Sequence, residues 1–135
     1  MTNFFERDII VDKVILSCLV KKGTGANFHK DRASHGLAYI LEGEKTYEFS
    51  DGKTLTVRQN EIIYLPKNST YKIINTIPGD TYAINFDCSN LNSEPFILSV
   101  KNTNSILYSY KKAVDAWTGK RDGYMYKTMS QLYSI

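Results

Sequence analysis

From about Ile9 to Ile97 the apolar positions come in short runs cut by turn residues, the pattern of strands. DIIV and KVILSCLV are β-branched and apolar, and KKGTGANFHKDRAS, rich in Gly, Asn and Ser, reads as a loop. HGLAYILEGE reads as a strand that ends at Gly43, and KTYEFSDGKTLTV as a hairpin turning on Ser50-Asp51-Gly52. QNEIIYLPKNST is a strand that stops at Pro66, and YKIINTIPGDTYAINFD reads as a second hairpin over Pro78-Gly79-Asp80. Strands of this length and spacing predict a sandwich or barrel. From residue 104 the period changes. Ile106, Leu107, Tyr110, Ala113, Val114 and Trp117 recur at three and four, a helix with Gly119 as its expected C-cap. Tyr124, Met125, Met129, Leu132 and Tyr133 mark a second helix, and the short GKRDG link predicts that the two pack antiparallel.

Composition narrows the function classes. The chain has 135 residues, enough for one domain with a real core. Its net charge of +3, from 17 basic and 14 acidic residues, is too weak and too scattered for a nucleic-acid footprint. MTNFFERD lacks the layout of a signal peptide, and no run approaches the ~18 apolar residues of a membrane span. A soluble, cytoplasmic protein is therefore expected. Cys18 and Cys88 lie in apolar runs without CxxC spacing and read as two thiols; a disulfide needs their strands to be neighbours. The unusual count is tyrosine, at 10, a residue that fills cores and also lines pockets for polar ligands.

The segment NEIIYLPKNSTYKIIN carries Asn60, Pro66, Asn68, Tyr71 and Asn75 at fixed spacing. It resembles the second motif of the cupin barrels, with Asn in place of both glycines and Tyr71 in place of the metal-binding histidine. Asn tolerates the left-handed turn conformation best after glycine, so the turns can survive while the ligand is lost. Counting back from Gly43, Gly36 falls where metal cupins carry a glutamate, and at most one ligand remains near His29–Arg32. Transition metals need three or four such ligands. No metal and no cofactor are expected, and His29 and His35 are read as loop or pocket-rim residues. HExxH, GxSxG, P-loop and GxGxxG patterns are all missing, and no catalytic residue is assigned.

Three features together resemble the sensor domains of AraC-type transcription regulators: Arg32 followed by LAYILEGE, then NEIIYLPKNSTYKI, then the helical tail with Trp117 and GYMYKTMSQLYSI. The departures are Asn60, Asn68 and Tyr71. The resemblance implies a mainly β, cupin-like double-stranded β-helix with an N-terminal arm over residues 1–103. Two antiparallel helices over 104–135 then serve for dimerisation. It implies a small-molecule effector, often a sugar, in the barrel, and DNA binding only through a C-terminal pair of helix-turn-helix units. The chain stops at Ile135 on helical pattern, which is read as truncation before that part; a natural, fraying end is the alternative.

The same resemblance points Gly36, Ala38 and Ile40 into the lumen, with Leu37, Tyr39 and Leu41 on the opposite face. It points Tyr71, Ile73 and Asn75 inward, and Thr81, Ala83 and Asn85 as well. The reverse assignment of strand 81–86 stays open. The expected ligand-binding residues are Arg32, Gly36, Ala38, Tyr71, Ile73, Asn75, Ala83 and Asn85. Arg32 is the polar anchor, since its guanidinium offers a fork of donors. Tyr71 either meets the ligand or plugs the barrel, and Asn75 either meets it or ties a turn. Tyr47 and Tyr64 are read as core or surface. Phe4 and Phe5 in the arm are candidates to cover the barrel mouth. The stripe Leu107, Tyr110, Val114 and Trp117 is the expected dimer face of a homodimer. Two other functions remain open: a stand-alone cupin enzyme acting on a sugar or small acid, and a barrel that only dimerises.

Overall fold

In the computed structural model, residues 9–22, 27–91 and 93–135 are described. The expectations for Phe4 and Phe5 lie outside them. Among the described residues nine strands form two antiparallel sheets. In chain order the strands are β1 (Lys13–Val20), β2 (Phe28–His29), β3 (His35–Ile40), β4 (Glu44–Phe49), β5 (Thr54–Arg58), β6 (Glu61–Leu65), β7 (Tyr71–Ile77), β8 (Thr81–Asp87) and β9 (Phe96–Ser99). One sheet runs β1-β8-β3-β6-β9 and the other β2-β7-β4-β5. Helices α1 (Thr103–Gly119) and α2 (Tyr124–Tyr133) follow and pack on the five-stranded sheet. The result is the mainly β, cupin-like barrel with an antiparallel C-terminal helix pair.

The first hairpin forms as expected: Gly52 takes φ +94, and Phe49 N–H donates to Lys53 O at 2.8 Å. The second does not form. β7 pairs with β2 and β4, whereas β8 pairs with β1 and β3, so Pro78-Gly79-Asp80 is a corner between sheets. Gly79 is what allows the corner, because a Cβ there would stand 2.0 Å from the Glu42 carbonyl oxygen. The loop expected over 21–34 contains a two-residue strand, β2, paired to Tyr71 and Lys72. Asn60 (φ +66) and Asn68 (φ +71) both take the left-handed conformation, so asparagine does replace glycine at the two turns.

Strand alternation divides the apolar residues into two cores. Leu37, Tyr39, Ile62, Tyr64, Tyr82, Ile84 and Phe86 face the helices. Ala38, Ile40, Ile63 and Leu65 face the second sheet, where Tyr47, Phe49, Val57 and Tyr71 meet them. Strand 81–86 thus keeps its apolar set under the helices. A β-bulge between Val14 and Leu16 changes the side-chain parity of β1: Val14 packs on the helix side, while Leu16, Cys18 and Val20 line the lumen. Cys18 pairs with Ala83, far along β8 from Cys88, and both thiols are free.

The helix stripe needs a correction. Tyr110 is 0% exposed and donates its hydroxyl to Leu37 O at 3.2 Å, which removes it from any dimer face. Leu107, Val114 and Trp117 are half-buried against the same core. An amphipathic stripe at this spacing needs an apolar surface, and the outer face of the sheet supplies it. Gly119 is the last helical residue rather than the cap; Lys120 takes the left-handed position (φ +48) and its N–H donates to Ala116 O at 3.2 Å. Its ammonium lies over the Trp117 and Tyr124 rings. No helix of the described residues is long and apolar enough to cross a membrane.

Candidate functional site

A cavity of about 230 Å³ lies between the sheets. Its construction begins outside the strands. The turn Pro66–Thr70 bends at Asn68, whose N–H donates to Arg32 O at 2.8 Å, while Arg32 N–H donates to Ser69 O at 3.0 Å. Asp31, also at positive φ, donates its N–H to Thr70 Oγ1 at 3.0 Å. The segment before β3 is thereby laced to the turn before β7, which aims Arg32 into the barrel.

The guanidinium is held by neutral groups alone. Nε donates to Ser34 O (3.1 Å), Nη1 to the Tyr71 hydroxyl (2.9 Å) and Nη2 to Asn85 Oδ1 (2.7 Å). A guanidinium has five N–H donors. These bonds use three, so two have no partner among the described residues. Gly36 makes room for the group: a Cβ there would lie 2.5 Å from Nη2. The space expected of Gly36 is therefore given first to the arginine head.

Tyr71 fills part of the barrel and also lines the cavity. It is buried among Tyr47 and Phe49, with His29 stacked on it at a centroid distance of 5.0 Å. Burial raises its phenol pKa, against the pull of the neighbouring Arg32 charge, so the hydroxyl stays protonated. Ala38, Ile73 and Ala83 form the middle of the wall, and Asn75 stands toward the other end. All the residues expected to bind ligand thus line one cavity. Asn75 accepts from Lys45 Nζ.

Lys45, Tyr47, Thr81, Leu16, Cys18, Val20, Asn27 and Leu65 also line it and were not among the expected site residues. Lys45 had a signal: it shares alternation with Tyr47 and Phe49, so the β4 pattern places it inward. Burial lowers the Lys45 pKa, partly opposed by Asp80. The bulge hid Leu16, Cys18 and Val20. Among the described residues the cavity wall contains no Asp or Glu.

His29 lines this cavity, whereas His35 does not. It is buried on the helix side, with Nδ1 2.9 Å from the Tyr64 hydroxyl and accepting from Lys67 N–H at 3.3 Å. Nε2 faces Cys88 O at 3.2 Å. A backbone N–H can only donate and a carbonyl only accept, so the proton sits on Nε2. No group of three or more His, Cys, Asp or Glu among the described residues is arranged to hold a metal.

The chain matches no family model, and no curated protein matches it by sequence. Solved structures do share its fold. ToxT from Vibrio cholerae bound to an unsaturated fatty acid has a TM-score of 0.55 at 10% identity, over 91% of this chain and 52% of that one. ToxT bound to (E)-4-(8-methylnaphthalen-1-yl)but-3-enoic acid has a TM-score of 0.52 at 12% identity, over 87% and 52%. YhaK from Escherichia coli has a TM-score of 0.51 at 18% identity, over 63% and 40%. The chain spans about half the length of the ToxT structures and less of YhaK.

Proposed function

We propose that this chain is the small-molecule-sensing portion of an AraC-type transcription regulator and performs no chemistry on its ligand. The observation that carries the reading is the cavity with a preset arginine, two of whose N–H donors are uncommitted among the described residues. Arg32 is half-buried and turned into the cavity, so a guest that accepts from these donors would gain charge-assisted bonds there. Two further facts support the reading. The ToxT structures, which align over most of this chain, hold a fatty acid or another small organic acid. The residues lacing Arg32 to the Pro66–Thr70 turn also give a bound ligand a route to two loops at the barrel mouth. Binding would favour the conformation in which both loops are closed on the guest, and the helix pair would report that shift to a partner copy and to a DNA-binding part.

The test is a thermal-shift screen of the full chain against sugars and other small metabolites. A ligand at 100 times its Kd stabilises by about 2.7 kcal/mol. The expected result is a saturable rise in Tm that is lost in Arg32→Met. A screen without any saturable shift, or a shift indifferent to Arg32→Met, overturns the binding role. The regulatory part is tested separately by reading the coding sequence past Ile135, where two helix-turn-helix patterns are expected.

A further inference from the structure

Resting on the binding role proposed above, we infer that the guest is a compact dicarboxylate: one carboxylate meets Arg32, the other meets Lys45 and Thr81, and an apolar stretch lies between them.

The ends of the cavity are set by register. Tyr71, Asn85 and Gly36 surround the guanidinium at one end. At the other, Lys45 pairs with Asn75 across the sheet, and Thr81 pairs with Ile40. Tyr71 and Asn75 are four residues apart on β7, about 13 Å at ~3.3 Å per residue. The two cations therefore enter from opposite ends, and their side chains shorten the gap.

Each end offers donors with no counter-ion. Arg32 keeps two N–H groups without a partner among the described residues, and Tyr71, whose oxygen accepts from Arg32, can turn its own O–H toward an anion. Lys45 donates to the neutral Asn75. Asp80, whose charge reaches Lys45, is already held by Lys21 at 3.8 Å and accepts from Lys22 N–H at 2.8 Å. Thr81 Oγ1 supplies an independent sign. Thr81 is 5% exposed and in the cavity wall, and its buried hydroxyl has no hydrogen-bond partner among the described residues. Buried hydroxyls are nearly always paired, so a guest carboxylate that reached this one would satisfy it. The other such hydroxyl, Ser17, is not in the wall.

The middle of the wall, Ala38, Ile73 and Ala83, offers no side-chain polar atom and favours methylenes or a ring over a run of hydroxyls. At about 230 Å³ the cavity is smaller than the ~300–1,000 Å³ of drug-sized sites, so the guest is short.

Titration calorimetry of the full chain tests this with dicarboxylates from succinate to suberate, monocarboxylates of the same lengths and the matching diols. One dicarboxylate is expected to bind saturably, about tenfold or more tighter than its monocarboxylate. Arg32→Met and Lys45→Met should each erase that preference. If either variant fails to fold, Thr81→Val has nearly the same shape and is expected to weaken the dicarboxylate severalfold. Equal binding of monocarboxylates or diols, or dicarboxylate affinity indifferent to Lys45→Met or to Thr81→Val, overturns the dianion and leaves the binding role standing. Failure of every dicarboxylate also overturns it, and the sugar and metabolite screen then decides the binding role by itself.

Discussion

The two faces of the five-stranded sheet are made by alternate residues of the same strands, yet they differ in kind. Toward the helices, β3 presents Leu37 and Tyr39, β6 presents Ile62 and Tyr64, and β8 presents Tyr82, Ile84 and Phe86. These meet Tyr110, Ala113 and Leu132, each 0% exposed. Toward the lumen the same β3 and β8 present Gly36, Ala38, Ala83 and Asn85. One face is filled, and the other holds back volume and polar atoms. Large side chains contribute dispersion and area burial where helices cover them. Small ones forgo that contribution and leave room for a guest, so the lumen face serves binding at the expense of stability.

The sharpest way to break this contrast is to make one substitution on both faces. Ala113→Leu enters a filled interface and is expected to destabilise by about 1–3 kcal/mol, through overpacking. Ala83→Leu enters the cavity and should change stability by less than about 1 kcal/mol, while abolishing ligand binding. Urea denaturation and calorimetry check both. Similar losses at the two sites would mean the lumen is as full as the helix face.

Gly36 sharpens the contrast within the lumen. Gly36→Ala drives a methyl onto Arg32 Nη2 and should cost about 1–2 kcal/mol, through lost bonds to a charged group. In an Arg32→Ala background the clash with the guanidinium disappears, Asn85 Oδ1 at 3.0 Å is released from Arg32 and can turn aside, and Gly36 is not at positive φ. The same change should then be neutral, or stabilise by about 0.4–1 kcal/mol. A double-mutant cycle by denaturation reads the difference. Equal effects in both backgrounds would show that Gly36 does not serve the arginine.

The helix face has its own titrating group. His35 accepts at Nδ1 and donates at Nε2, so the buried ring is neutral, and burial lowers its pKa. In the unfolded chain the pKa is near the ordinary 6.5. Between that value and the lower folded one, the unfolded state binds more protons. Stability therefore rises with pH across this window, and the contribution is lost as pH falls through the folded pKa. His35→Asn should flatten that part of the stability–pH curve. An unchanged slope would place the titration elsewhere.

The sequence was informative where a rule is local. Alternation put Ala83 and Asn85 on one face, the resemblance pointed that face and Ala38 inward, and asparagine at the two glycine-like turns foretold positive φ. It was uninformative where the answer depends on pairing between distant strands. YKIINTIPGDTYAINFD has a hairpin's local pattern, and only the partners of β7 and β8 show that the turn joins two sheets. The extra residue in β1 is likewise invisible until β8 is laid beside it. Tyr110 was placed on a dimer face because a stripe shows that a helix has a partner, but not whether the partner is the same chain.

The smallest expected effect compares the two turn asparagines, one serving each region. Asn60 accepts through Oδ1 from Tyr39, a helix-face residue, at 2.8 Å. Asn68 supports Arg32 through its backbone N–H alone. Glycine preserves the positive φ at both turns, so substitution isolates the side chain. Asn60→Gly should lose about 1 kcal/mol with the Tyr39 bond. Asn68→Gly should change stability by no more than a few tenths of a kcal/mol and leave ligand affinity intact. Denaturation midpoints and calorimetry separate the cases. A larger loss at Asn68 would mean that its amide side chain, and not the backbone turn, holds the arginine in place.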